Sequence, residues 1–197
     1  MFFTRKRRKE VIIVSGLPRS GTSMMMKMLE AGGLSVVSDN IRRADDDNPK
    51  GYYEFERVKQ LPKGDKAWLK EAQGKVVKVI SALLQHLPAD YDYKVIFMYR
   101  KIEEVLASQH KMLIRRGEPT DRTSDAKMTM LYQKHLEKIE AWMASQRNVS
   151  VLYTHYNEIL ANPEPHVEQI NRFFDNKLDR DAMLAVVDPA LYRNRKK

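Results

Sequence analysis

Residues 11–31, Val-Ile-Ile-Val-Ser-Gly-Leu-Pro-Arg-Ser-Gly-Thr-Ser-Met-Met-Met-Lys-Met-Leu-Glu-Ala, read as a buried strand, a glycine turn and a helix. The rest of the chain is placed around them. Val11 to Val14 form an unbroken β-branched run, the pattern of a parallel strand covered on both faces. Gly16 and Gly21 bracket the turn, where glycine allows positive φ and a close approach of backbone to ligand. The N–H groups of Ser20 to Ser23 would open the helix without intrahelical partners, and the helix dipole favours an anion such as phosphate or sulfate there. The plain alternative is a turn that only joins a strand to a helix. Strand, paired glycines, hydroxyls and helix in that order weigh against it.

The spacing Gly16-x-x-x-x-Gly21-x-Ser23 fits the phosphate-loop pattern, except that Thr22 stands in place of the usual lysine. That lysine serves the transferring phosphate in nucleoside-triphosphate chemistry, so its absence counts against an ordinary kinase or ATPase. Arg19 supplies a cation from inside the loop instead.

A chain of 197 residues accommodates one well-cored domain, taken as residues 1–197 with a basic tail over 1–9. Apolar residues at 43% and charged residues at 31% give a globular balance. No apolar run nears the roughly 20 residues that span a bilayer. The cluster Arg5 to Lys9 is not followed by the apolar core of a secretory signal. With no cysteine, disulfides and thiolate metal sites are excluded, and a cytoplasmic setting is the expectation. A net charge of +9 implies anionic partners. Much of the excess lies in Arg5 to Lys9 and in Arg193, Arg195, Lys196 and Lys197, where a solvated tail is the competing reading. No specific nucleic-acid partner is expected, because the basic ends lack interleaved aromatics or a reader motif.

Outward from the first helix, Gly32 and Gly33 stop it, and Leu34 to Val37 make a short strand. An aspartate-rich loop over 38–50 leads to Gly51, two exposed-looking tyrosines and Glu54. A loop carboxylate near a phosphate cradle is a candidate general base; a salt bridge to a nearby Lys or Arg is the equal alternative. Val76 to Ile80 form a second β-branched strand containing Lys78, whose ammonium faces either the ligand at the strand end or water at an edge. Lys94 to Tyr99 form a third strand that runs into Arg100, at the end of a sheet where ligands bind in open α/β folds. Ile102 to Leu113 and Ser124 to Arg147 have helical periodicity, the second with Met128, Leu131, Tyr132, His135, Ile139, Trp142 and Met143 on one core stripe. Val149 to Tyr153 form a fourth strand, and helices follow after Pro163 and Leu178. None of these strands ends in the aspartate that a Mg²⁺-dependent phosphate-loop enzyme needs. The expected fold is α/β, a three-layer sandwich with a central, mostly parallel sheet of four to five strands flanked by helices.

With both the loop and the Arg100 segment in hand, the sequence resembles the sulfotransferases that use 3′-phosphoadenosine 5′-phosphosulfate. Pro18-Arg19-Ser20-Gly21-Thr22-Ser23 resembles that family's 5′-phosphosulfate loop in its arginine-containing form. Arg100-Lys-Ile-Glu-Glu-Val-Leu-Ala-Ser108 resembles its 3′-phosphate motif, an arginine at a strand end and a serine on the next helix. Asn48-Pro49-Lys50-Gly51-Tyr52 is similar to a segment of bacterial relatives, and Tyr153 falls where the family often sets a tyrosine against the nucleotide. There are departures. Val79 and Ile80 follow Lys78 where many cytosolic members have a catalytic histidine, and Thr154 and His155 replace an acidic pair. The family's glycine-rich 3′-phosphate loop is absent, leaving Arg193 and Arg195 as substitutes. The chain is short for the family, so the resemblance implies that part of an acceptor pocket or lid is either missing or supplied by another subunit, as in a homodimer.

The resemblance implies in-line, metal-independent transfer of a sulfuryl group to a hydroxyl or amine on a small molecule, carbohydrate or lipid. Arg19 would stabilise the leaving phosphate, and the Ser20, Gly21, Thr22 and Ser23 segment would hold the 5′-phosphate. Arg100 and Ser108 would clamp the 3′-phosphate, with Tyr153 and Arg193 also on the nucleotide. Lys78 would touch the sulfuryl oxygens and Glu54 would take the acceptor's proton, His110 and His155 being alternatives. Two rivals stay open: an atypical phosphoryl-transfer enzyme, and a non-catalytic nucleotide-binding scaffold of the same fold.

Overall fold

The computed structural model describes residues 10–39, 41, 51–120 and 123–188. The basic tail over 1–9, Asn48 to Lys50, Arg193 and Arg195 lie outside the described residues. Five strands, β1 (Glu10–Gly16), β2 (Val36–Val37), β3 (Val76–Lys78), β4 (Asp92–Tyr99) and β5 (Val149–His155), form one parallel sheet in the order β2-β3-β1-β4-β5. This is the sheet expected from the β-branched runs, and β1 sits at its centre.

Because side chains alternate across a strand, each central strand feeds two cores. Ile12 and Val14 of β1, with Ile96 and Met98 of β4, face α1 (Thr22–Ala31), α4 (Tyr156–Ala161), α5 (Pro163–Phe173) and α6 (Arg180–Val186). Met25, Met26, Met28 and Leu29 are fully buried there, each stabilising by about 1.5–3 kcal/mol relative to exposure. Val11, Ile13, Val95 and Phe97 face the opposite layer, built from short 3₁₀ turns over 56–63, 67–70 and 81–86 and from the C-terminal half of α3 (Asp125–Ser145). The three-layer arrangement follows.

Three local expectations are corrected. Tyr52 is buried at 4% exposure, and Tyr53 packs against the helical core while donating a 2.6 Å hydrogen bond to Glu30. The α3 stripe is core only from Ile139 onward, and Leu131 is 49% exposed. Its N-terminal half rests on α2 (Ile102–Arg115) rather than on the sheet, through Tyr132 to Gln109 at 2.8 Å and His110 to Asp125 at 3.3 Å. Finally, β5 runs on to His155, and α4 follows it directly.

Candidate functional site

The turn between β1 and α1 has the backbone that its glycines permit. Gly16 has φ of +147°, and a Cβ there would lie 2.5 Å from both Met98 O and Ser20 Oγ. Gly21 has φ of +97°, and a Cβ there would overlap the ring of Tyr156. Only glycine fits either place. Gly21 is the N-cap of α1, and no side chain among the described residues caps it, whereas Ser124 caps α3 and Asp179 caps α6. The first-turn N–H groups of α1 are therefore left for a partner from elsewhere. One expected donor is already taken: Ser20 N–H bonds to Leu17 O at 3.2 Å. Its hydroxyl, by contrast, is buried with no partner among the described residues.

Arg19 is held in a left-handed conformation, φ +73°, which costs a residue with a Cβ about 1–2 kcal/mol. Its side chain leaves the turn and reaches α2, where Nε donates to Ser108 Oγ at 2.9 Å. Arg100, at the end of β4, donates from Nη1 back to Arg19 O at 3.1 Å and from Nε to Glu104 at 3.1 Å. Residues far apart in the chain thus meet at one point because parallel β1 and β4 end side by side, Gly16 opposite Met98.

Lys78 resolves the question its position raised. From the end of β3 its Nζ donates to Ser23 Oγ at 3.0 Å and to Tyr52 O at 2.7 Å. The ammonium that the phosphate-loop pattern expects at Thr22 is therefore delivered to the same helix start from another strand. The donor set around the turn, two guanidiniums, an ammonium, hydroxyls and helix-start amides, suits an anion carrying more than one phosphate or sulfate group. No cluster of three or more metal-ligating His, Asp or Glu side chains occurs among the described residues.

The remaining expected residues sit elsewhere. Glu54 places its carboxylate 3.7 Å from Lys59 Nζ, the salt-bridge alternative, and its carbonyl accepts from Ser38 at 3.2 Å. Tyr153 packs its ring on Phe97 and Tyr99, and Tyr99 also stacks on His155 and donates to Glu140. The tyrosine against the turn is Tyr156, with the Arg100 guanidinium carbon 4.6 Å from its ring centroid. Burial is the main reason its phenol is pushed up, with Arg100 pulling the other way.

Sequence reasoning missed Tyr156, Glu104, Asn157 and the Ser81–His135 pair. Glu104 is 0% exposed and accepts from Asn157 Nδ2 at 3.0 Å on both oxygens. Its spacing four residues after Arg100 was readable; its burial was not. Ser81 and His135 share a 2.8 Å hydrogen bond, and burial, then Lys138, holds the imidazole below its ordinary value.

The family model described as a sulfotransferase domain matches residues 9–197. A comparison with curated protein sequences returned no match. Among solved structures, the sulfotransferase STF1 of Mycobacterium tuberculosis H37Rv is 20% identical, with a TM-score of 0.59 over 89% of this chain and 71% of that one. The sulfotransferase domain of the Synechococcus PCC 7002 olefin synthase is 16% identical, with a TM-score of 0.58 over 95% of this chain and 87% of that one. A mouse sulfotransferase, SULT7A1, solved with PAP, is 16% identical, with a TM-score of 0.54 over 91% of this chain and 63% of that one. These likenesses carry the fold. No helix among the described residues is long and apolar enough to cross a membrane.

Proposed function

The chain belongs to the sulfotransferase domain family, and from that premise we propose that its donor is 3′-phosphoadenosine 5′-phosphosulfate and its acceptor a hydroxyl or amine. One observation carries this reading: the phosphate turn and the α2 segment, apart in sequence, touch through Arg19 and Ser108. A site that grips both ends of an adenosine bisphosphate needs that juxtaposition. The mouse neighbour's complex with PAP lends support at the level of fold.

The donor supplies an activated sulfuryl group whose sulfur passes from the phosphate oxygen to the acceptor oxygen or nitrogen. The α1 amides and the Thr22 and Ser23 hydroxyls hold the 5′-phosphate, on which negative charge builds as it leaves. Arg19, whose Nε also meets Ser108, stabilises the leaving phosphate, Arg100 with Ser108 clamps the 3′-phosphate, and Tyr153 and Arg193 are further groups assigned to the nucleotide. Lys78 is the fixed cation nearest the helix start and bears on the equatorial oxygens. Glu54 accepts the acceptor's proton, for which it must leave Lys59. Fixed donors aimed where charge develops provide the catalysis, and no step requires a metal.

Calorimetry tests the donor. Metal-free binding of adenosine 3′,5′-bisphosphate, tighter than that of Mg·ADP, is the expected result. Preference for Mg·ADP would instead favour phosphoryl transfer. A radiolabelled sulfate-transfer screen over phenols, sugars and lipids then tests turnover; silence in every class would favour a binding scaffold.

A further inference from the structure

The two edges of the sheet are finished differently. A strand edge presents a row of unpaired N–H and C=O groups, which proteins blunt with short strands, charges, proline or a bulge. At one edge β2 has only two residues, Val36–Val37. At the other, β5 runs for seven, Val-Ser-Val-Leu-Tyr-Thr-His, with no Lys, Arg, Asp, Glu or Pro in a chain that is 31% charged. Its residues pair one for one with Tyr93 to Tyr99 of β4, so no bulge turns the edge away. Apart from that ladder and the opening turn of α4, the backbone of 149–155 makes no hydrogen bond among the described residues.

The strand is also complementary to itself. Antiparallel pairing joins residues that share a face, so a two-fold axis through Leu152 sets Val149 against His155, Ser150 against Thr154 and Val151 against Tyr153 of a second copy. Hydroxyl pairs and aromatic pairs with β-branched residues stabilise a sheet, and no like charges meet here. Thr154 has a buried hydroxyl with no partner among the described residues, and exposed Ser150 would bring a second hydroxyl opposite it. Just before the strand, Arg147 is exposed, and the axis brings it beside the start of the second copy's α4, where Glu158 is 59% exposed. That opposition of charge recurs on both sides of the axis.

We propose that β5 is the interface of a two-fold homodimer, in which the β5 strands of two copies pair antiparallel about Leu152 and join their five-stranded sheets into one. The inference does not depend on what the phosphate turn binds. The C-terminal ends of the paired strands point in opposite directions, so each turn opens away from the other copy's.

Sedimentation of the full-length chain at about 10–100 μM tests it, the expected mass being twice the 23.0 kDa of one chain. Because the chain has no cysteine, a single introduced thiol reports on one contact. In Leu152→Cys the two thiols meet at the axis, with Cα atoms about 4.5–5.5 Å apart, and oxidation is expected to link most of the protein into dimers. In Ser150→Cys the two Cα atoms lie about 14 Å apart, and the protein should stay largely unlinked. Ser150→Lys adds the charge that guarded edges carry, and is expected to raise the dimer Kd about tenfold or more with unchanged far-ultraviolet circular dichroism. A wild-type mass of one chain throughout would overturn the proposal, whatever else covers the edge. So would a dimer that Ser150→Lys leaves equally tight, or linkage as rapid at 150 as at 152. If Leu152→Cys does not fold, the wild-type mass and Ser150→Lys decide.

Discussion

On the α2 side of the phosphate turn, Arg100 and Glu104 are buried, with side chains 8% and 1% exposed; on the β3 side, Lys59 is 56% exposed and Glu54 21%. The first pair is closed by Asn157, Tyr156 and the Arg19 carbonyl. The second spans 3.7 Å at the surface, in the range where such a pair contributes about 0–1 kcal/mol. The contrast teaches where precision is stored. Under the proposed reading, the groups assigned to the donor are fixed before it arrives, whereas the group assigned to the acceptor's proton sits in a weak surface pair.

The largest effect should come from Gly21→Ala, which combines a disfavoured φ with overlap on Tyr156. Nucleotide binding is expected to vanish and Tm to fall by about 5–15 °C, from a loss of roughly 2–4 kcal/mol. A variant with unchanged Tm and affinity would remove the claim that this side is rigid. Next is Lys78→Met, where kcat is expected to drop about 10²–10³-fold while affinity for adenosine 3′,5′-bisphosphate changes little. An equal loss in both would make Lys78 a binding group rather than a transition-state one.

Glu54→Gln sharpens the other half of the contrast. A base there implies a drop in kcat/KM of about 10²-fold, while Lys59→Met, which removes surface pairs to Glu54 and Glu56, should cost less than about threefold. Equal, small effects would return Glu54 to the role of salt-bridge partner. The smallest effect concerns pH. His135, bonded to Ser81 beyond the end of β3, is held below the usual imidazole value by burial. The unfolded chain therefore binds its proton more readily, so this contribution to stability is present above about pH 6.5 and is lost as pH falls through the lower folded value. His135→Gln should flatten the acid limb of a Tm-against-pH curve; an unchanged limb would exclude His135 as its source.

The strands were legible because the apolar runs at Val11, Val76 and Lys94 match strands that are largely buried, while the run at Val149 marks a half-exposed edge strand. The turn was legible from its glycines. What failed to show was structure without a period. The 3₁₀ segment over 56–63 contains Pro62 and only two buried residues, Val58 and Leu61, too few to mark a face. Tyr156 was hidden by the end of β5: pairing of His155 with Tyr99 carries the strand two residues past Tyr153, so the tyrosine that meets Gly21 opens the next helix. Glu104 went unread because its spacing of four residues from Arg100 does not report that Asn157 closes over it. The stripe of α3 was read as uniform because periodicity cannot tell which half of a helix overhangs the sheet.

The central place of β1 also sets a schedule for synthesis. It is made before the other four strands of the sheet, yet its two neighbours, β3 and β4, are made much later, and the register that puts Gly16 opposite Met98 waits for β4. A nascent chain halted before Asp92 would carry the whole glycine motif and still be unable to fold it. Pairing at such sequence separation is slow, so the glycine turn is among the last parts of this fold to take shape as the chain is made.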